Sequence, residues 1–187
     1  MKLNRYTFGQ VEALFNILGG EGVVDGILAH TLKVVVKVIA LPPFTQKLTV
    51  NYDRSIEDLV AAGDYDSTNR DVTDNNFPSS ESSEKEVEFG MFHYGECISS
   101  EKAIANMEEA GFRPATMKEL LSYGEKNPEE QREYLIIALG SHGSHALLKG
   151  DPSVGCLFIG STNGRRVSLR YFEDGFGVSP RFLGVRI

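Results

Sequence analysis

The order of helix and strand patterns along the chain is the feature that most constrains its fold. Helical patterns with clear start and stop signals occupy the middle of the chain, and four β-type segments follow from residue 134 to the end. Grouped helices and strands are typical of an α+β fold. The sequence therefore predicts an N-terminal helix and strand region followed by helices packed on a mostly antiparallel sheet.

The four late β segments cover 134–139, 155–161, 166–172 and 181–187. Asn163-Gly164 separates the second and third of them. This dipeptide favours a two-residue type I′ turn, in which both residues need a positive φ. A β-hairpin with that turn is predicted here.

The helices of the second half are predicted from their ends. Thr116 and Glu119 form a capping-box pattern, which predicts a helix from Met117 to Tyr123 that ends at Gly124. The preceding elements are a predicted strand over 86–94, with His93 on its apolar side, and a predicted helix over 101–110.

The first half shows a capping box at Thr7 and Gln10, which starts a predicted helix that ends at Gly19-Gly20. The further elements predicted before residue 63 are a helical turn over 22–30, strands over 32–40 and 44–52, and a short helix over 56–62 that Ser55 caps.

Residues 64–85 are polar and predict a long loop. Loops of this length are uncommon within compact domains and are functional or linking segments. We therefore predict two regions, 1–80 with the acidic loop and 84–187 as an α+β domain.

The 187-residue chain has a net charge of −7, and its acidic residues are concentrated in one stretch. Residues 53–88 contain 11 acidic and 3 basic side chains, whereas residues 131–187 contain 4 acidic and 7 basic ones. Binding to nucleic acid or to an anionic membrane needs clustered Lys and Arg. The charge predicts no nucleic acid and no membrane partner.

The N-terminus shows no signal-peptide pattern, and the longest apolar run, from Val34 to Pro43, is too short to span a bilayer. Cys97 and Cys156 lie in apolar stretches without a spacing that implies a disulfide. A cytoplasmic location is expected.

Ser141-His142-Gly143-Ser144-His145 is the segment with the most reactive side chains. Two histidines three positions apart can bind a divalent metal, and a serine beside a histidine can be activated as a nucleophile. The sequence has no nucleophile elbow of the Gly-x-Ser-x-Gly type. The pattern favours a loop between strands.

Two other patterns are incomplete as metal sites. His93 and Cys97 have a spacing suited to two zinc ligands, but a structural zinc site needs two more. Asp64 begins a calcium-like run, but Asn69 stands where that motif requires glycine and Asn75 stands where it requires glutamate. No metal and no cofactor are predicted.

Four segments resemble a family of bacterial hypothetical proteins of unassigned function: Leu18–Leu28, Asn51–Arg54, Gly111–Leu121 and Arg181–Arg186. The resemblance covers most of the chain in patches and implies no activity. In that family an aromatic residue follows the Asp-Tyr-Asp element, where this chain has Ser67.

Residues 86–187 also resemble C-type-lectin-like domains of the bacterial and phage kind, including the formylglycine-generating-enzyme group. The likeness lies in a helix, a Gly-x-Arg-x-x-Thr-x-x-Glu-Leu motif and short strands that end in Val-Arg. It implies that Arg113, Thr116 and Glu119 tie a helix to the sheet and that the last strand pairs near the first. Cys97 and Cys156 do not match the catalytic cysteine pair of the enzyme group.

These observations favour a non-enzymatic binding or protein-interaction module over an enzyme, because binding groups often lie on loops between strands. The candidate binding residues lie in or beside the loops 141–152 and 173–180, and they are His142, His145, Asp174 and Arg181. The alternatives are a metal- or histidine-dependent enzyme that uses Ser141–His145, and a structural subunit that forms a homo-oligomer. The ligand, whether protein or small molecule, is not predicted.

Overall fold

The computed structural model describes residues 42, 44–144 and 151–187 of the chain. All of them belong to one compact unit, residues 39–187. The predicted helix after Thr7, the turn over 22–30 and the strand over 32–40 lie outside the described residues.

The fold is α+β, with a mixed sheet of eight strands and four helices among the described residues. The strands are β1 (Thr45–Asn51), β2 (Ser67–Thr68), β3 (Glu84–Phe92), β4 (Phe112–Pro114), β5 (Ile136–Ser144), β6 (Pro152–Ile159), β7 (Arg165–Tyr171) and β8 (Arg181–Arg186). The helices are α1 (Ile56–Ala62), α2 (Ser100–Glu109), α3 (Met117–Lys126) and α4 (Glu130–Glu133).

The strand order is β1-β3-β8-β5-β6-β7-β2, and β4 also pairs with β8. The β5–β8 and β2–β7 pairs are parallel, and the other pairs are antiparallel. β1 lies beside β3 in this sheet, so the elements on both sides of the predicted division at 80–84 share one sheet.

Both faces of the sheet are covered by apolar side chains. Successive residues of a strand point to opposite faces, and Ile136 and Ile137 accordingly belong to different apolar clusters. One cluster includes Leu59 of α1 and Leu120 of α3, and the other includes Met107 of α2. The sheet therefore separates α1 and α3 from α2.

Local sequence signals account for the helix starts. The side chains of Ser55, Ser99 and Thr116 each accept a hydrogen bond from a backbone N–H of the first turn of their helix. Thr116 and Glu119 form the predicted capping box, with both reciprocal bonds present. Burial of apolar faces against the sheet then stabilises these short helices.

Gly124 does not end α3, contrary to the sequence prediction, because the helix continues to Lys126. A Cβ atom at Gly124 would lie 2.3 Å from the hydroxyl oxygen of Tyr65 and 2.6 Å from a methyl carbon of Leu157. The glycine is therefore a point of close packing and not a helix stop.

The predicted hairpin is present between β6 and β7, but its turn is not of type I′. Asn163 has a φ of +59°, whereas Gly164 is not in the positive-φ region. A five-residue connection, closed by a hydrogen bond from the Gly160 N–H to the Gly164 carbonyl, replaces the two-residue turn.

The polar segment 64–85 is less of a loop than its composition predicts. Val72 and Phe77 are buried in the core, and Ser67–Thr68 forms β2 against β7. A few apolar residues are sufficient to fix such a segment, because each contributes burial energy independently of its polar neighbours.

Candidate functional site

Glu119 lies in the first turn of α3, and its side chain connects three parts of the fold. Its carboxylate accepts hydrogen bonds from the Thr116 N–H at 2.7 Å, from the Tyr52 hydroxyl, and from both terminal nitrogens of Arg113 at 2.9 and 2.7 Å. Glu119 is fully buried. A buried charge is tolerated when it is paired and fully hydrogen-bonded, and this carboxylate meets both conditions.

Two opposing effects act on the protonation of Glu119. Burial raises the pKa of the carboxyl, but the hydrogen bonds and charge of Arg113, with the Tyr52 and Thr116 donors, outweigh it and hold the pKa below its usual value. The pKa of Tyr52 is raised by burial and by its bond to Glu119. Glu119 is therefore an ionised acceptor and Tyr52 a neutral donor.

Arg113 lies on β4 and is half-exposed. Its guanidinium also donates to the Pro114 carbonyl at 3.3 Å. The hydrogen bonds to Glu119 raise the pKa of Arg113. Its charge is therefore permanent, and the outer part of the side chain faces solvent at a fixed position.

Lys118 is a second side chain of α3 that is fixed by distant residues. The Lys118 ammonium donates to the Tyr52 carbonyl at 2.8 Å and lies 3.8 Å from an Asp74 oxygen. Lys118 is buried. Asp74 is its ionic partner, at a longer distance than those between Arg113 and Glu119.

An irregularity in β5 brings a hydroxyl to the start of α3. The register between β5 and β6 shifts between Ala138 and Gly143. Within the shifted segment the Gly140 N–H donates to the Ala115 carbonyl at 2.8 Å, and Ser141 Oγ accepts from the Met117 N–H at 2.8 Å. A bulge of this kind re-aims side chains, and here it connects β5 to the α3 N-terminus.

These groups surround a cleft of about 340 Å³, which we call the Arg113 cleft. Its lining comes from the segment before β3, from β4, from the start of α3 and from the bulge of β5, and consists of Phe77, Pro78, Ser79, Ser80, Glu81, Arg113, Pro114, Thr116, Met117, Lys118, Gly140 and Ser141. The lining combines serine and threonine hydroxyls and two paired cations with the apolar residues Phe77, Pro114 and Met117.

A second depression, of about 380 Å³, shares Arg113 and Glu81 with the lining of the cleft. Its ionic groups are paired across neighbouring strands, Lys47 with Glu86 at 2.9 Å and Arg186 with Glu88 at 2.9 Å. The hydrogen bond from Arg186 lowers the pKa of the Glu88 carboxyl.

The residues predicted for binding are not in the Arg113 cleft. His142 is exposed on β5, and its ring lies 4.4 Å from the ring of Phe172. Asp174 is exposed and lines two small depressions of about 260 and 250 Å³. The Arg181 guanidinium lies 4.4 Å over the ring of Tyr134. His145 lies outside the described residues.

The predicted loop Ser141–His145 is in part a strand, because β5 extends through Ser144. The sequence prediction ended the strand at Leu139. The bulge after Ala138 allows pairing with β6 to resume at Gly143 and Ser153, and this resumption extends the strand.

The remaining candidate ligands are apart from one another. His93 is exposed, not packed, because β3 ends at Phe92; its Nε2 is 2.8 Å from the Val178 carbonyl oxygen. Cys97 is exposed, whereas Cys156 is buried and burial raises its pKa to about 11. The described part of the chain contains no group of three or more metal-ligating side chains.

The lectin-like resemblance implies a structural role, and not a binding role, for Arg113, Thr116 and Glu119, and all three take part in one network. Sequence reasoning missed Tyr52 and Lys118, because no local pattern connects them with residues that are more than 40 positions away or marks a lysine as buried. The spacing in the capping box was the available signal, and it reports only local geometry.

No helix in residues 42, 44–144 and 151–187 has the length and apolar character needed to cross a membrane. Comparison with models of protein families, with curated proteins and with solved structures finds no match to this chain.

Proposed function

We propose that the chain is a non-enzymatic binding module and that the Arg113 cleft is its ligand site. The observation that carries the proposal is the network that fixes the cleft: Glu119 holds Arg113 by two hydrogen bonds and is itself held by Tyr52 and Thr116. A prearranged wall of this kind lowers the entropy cost of binding. Small-molecule sites begin at about 300 Å³, so the cleft is large enough for a small ligand.

The charges favour an uncharged or zwitterionic polar ligand. Arg113 and Lys118 are each neutralised by a carboxylate of this chain, and Glu81 is paired with Lys85. An anion would have to compete with those partners. The hydroxyls of Ser80 and Ser141 supply both donors and acceptors.

The state of Glu119 favours binding over acid–base catalysis. A general base must have a free lone pair within reach of the substrate. The carboxylate oxygens of Glu119 accept four hydrogen bonds from Thr116, Tyr52 and Arg113, and the side chain is fully buried. Glu119 therefore acts as a positioning group for Arg113.

A thermal-shift screen tests the proposal. The purified chain is screened against small polar compounds, namely amides, polyols, sugars and amino acids. Ser80→Trp fills the cleft, and Ser161→Trp places the same side chain at an exposed position in the β6–β7 connection. We expect at least one compound to raise the melting temperature of the wild type and of Ser161→Trp but not of Ser80→Trp.

Equal stabilisation of both tryptophan variants would place the ligand elsewhere and reject the cleft. A pull-down run in parallel covers protein ligands. Empty results from both the screen and the pull-down would remove the support for a binding module.

The alternative function, a metal- or histidine-dependent enzyme, would need the side chains of the Ser141–His145 segment to act together. Ser141 Oγ accepts from the Met117 N–H, and the His142 ring packs on Phe172, so the two side chains contact different elements. Metal analysis of the purified protein, with His142→Ala and His145→Ala as controls, separates the cases. Retained metal that both substitutions abolish would favour the enzyme.

The C-type-lectin-like architecture of residues 86–187 is part of the same proposal. Two features support it: Arg113 and Glu119 connect β4 to α3, and the last strand pairs with the first strand of that region, β3. An experimental structure in which this part does not superpose on such domains would end the resemblance.

A further inference from the structure

Residues 78–82 form an exposed, irregular segment that we call the strap. The strap supplies one wall of the Arg113 cleft, through Pro78, Ser79, Ser80 and Glu81. Glu81 also lines the second depression, which Arg113 borders as well. The strap therefore borders both spaces, through Glu81.

Both ends of the strap are fixed. Phe77 is buried, and its ring occupies the space above Gly143 where a Cβ atom would lie 2.2 Å from it. At the other end the Ser83 N–H donates to Asp53 Oδ1 at 3.0 Å, and the Ser83 carbonyl accepts from the Tyr52 N–H at 3.0 Å. Movement is thus confined to the residues between two anchors.

The middle of the strap is attached weakly. Among the described residues its side-chain bonds are local: the Glu81 N–H donates to Ser79 Oγ, and the Glu81 carboxylate pairs with Lys85. Both members of that ion pair are more than two-fifths exposed. Exposed ion pairs contribute little, because solvent screens them and two long side chains lose freedom.

The junction with β3 is strained. Ser83 has a φ of +67°, in the left-handed region that residues with a side chain rarely occupy. Such a conformation persists only where the surroundings impose it, and it is common at segments that switch. Here the bonds to Asp53 and Tyr52 impose it.

From these contacts we infer that the strap is a gate that opens and closes over the Arg113 cleft, moving between its anchors at Phe77 and Ser83, with the Glu81–Lys85 ion pair as its latch. The inference rests on the proposed function, since a gate needs a ligand to admit. In the closed state, which this structure represents, Glu81 borders both depressions. In the open state they form one groove across Arg113.

Electron-spin distance measurement tests the gate without a ligand. Labels are attached to Ser80→Cys and Ser161→Cys in a Cys97→Ser background, which removes the exposed native thiol. Glu81→Gln breaks the latch, and Glu84→Gln removes an exposed carboxylate three residues away on β3. We expect two label distances, with the longer population at least doubled by Glu81→Gln and unchanged by Glu84→Gln.

A single narrow distance in all variants would overturn the gate, as would equal effects of the two glutamine variants. The binding screen separates this failure from a failure of the proposed function. If compounds bind the cleft but the strap does not move, the proposed binding site stands and only the gate is rejected.

Discussion

The guanidinium of Arg113 binds both carboxylate oxygens of Glu119, at 2.9 and 2.7 Å, although one residue lies on a strand and the other on a helix. Glu119 is fully buried, whereas Arg113 reaches solvent. The buried Glu119 therefore fixes the position of a side chain that reaches the surface. The stability and the binding behaviour of the protein should both depend on it.

Glu119→Gln should destabilise the fold substantially. The amide keeps the shape but leaves the Arg113 charge without its counter-ion. Removal of one member of a buried pair costs about 3–5 kcal/mol, and the partial exposure of Arg113 reduces our expectation to about 2–3 kcal/mol. Urea unfolding measures the change. Glu86→Gln, which removes one member of an exposed pair, is the control and should have no measurable effect.

Tyr52→Phe tests the third member of the network. The substitution removes the hydroxyl that donates to Glu119 and leaves the ring in the core. A lost hydrogen bond to a charged group costs about 1.5–3 kcal/mol, and we expect a value near the lower end because Arg113 and Thr116 still bind the carboxylate. Tyr171→Phe, at the end of β7, is the matched control. Equal stabilities of the two variants would contradict the network.

The lowered pKa of Glu119 predicts a specific dependence on pH. A carboxyl whose pKa is lower in the folded state stabilises the fold above the pKa of the unfolded chain, about 4.3 for glutamate, and the contribution is lost as pH falls through the folded-state pKa. The stability difference between the wild type and Glu119→Gln should thus be constant above about pH 5.5 and narrow below about pH 4. A difference that stays constant at acid pH would show that the ionised form has no special role.

Gly140→Ala should disturb the cleft through its backbone. An added Cβ atom would lie 2.4 Å from the Pro114 carbonyl oxygen and 2.7 Å from that of Ala115. These are main-chain atoms that cannot rotate away, so β5 must move from the start of α3. Overpacking costs about 1–3 kcal/mol, and we expect a value in the upper half of that range by urea unfolding.

Gly177→Ala is the control for that experiment, because nothing lies within 4 Å of its added Cβ atom. We expect no loss of stability from it. A Gly140→Ala variant as stable as Gly177→Ala would mean that the bulge of β5 does not fix the α3 N-terminus.

Local sequence signals predict the helix starts and the β6–β7 hairpin, but not the type of turn at Asn163-Gly164. Ser55 and Thr116 cap their helices as predicted, and the β6–β7 hairpin forms around Asn163. The prediction that Gly124 ends a helix is wrong because the role of this glycine depends on Tyr65 and Leu157, which are distant in sequence. Periodicity and capping patterns do not contain that information.

In the candidate site, too, local contacts are predictable from the sequence and long-range contacts are not. The spacing of Thr116 and Glu119 predicts their mutual hydrogen bonds, and these are present. Tyr52 approaches Glu119 only because β1 joins the sheet beside β3 and brings the end of the strand to α3. Strand pairing over such separations is decided by the whole fold, so the cleft could not be predicted from local patterns.

Nuclear magnetic resonance tests the central claim, that the Arg113 cleft is a prearranged binding site, most directly. Small polar compounds are titrated into isotope-labelled protein, and the backbone amides and the Arg113 side chain are followed. The account predicts that saturable shifts are largest at Arg113, Thr116 and Ser141 and are lost in Glu119→Gln measured where that variant remains folded. Saturable shifts confined to other parts of the surface, or unchanged by Glu119→Gln, would contradict it.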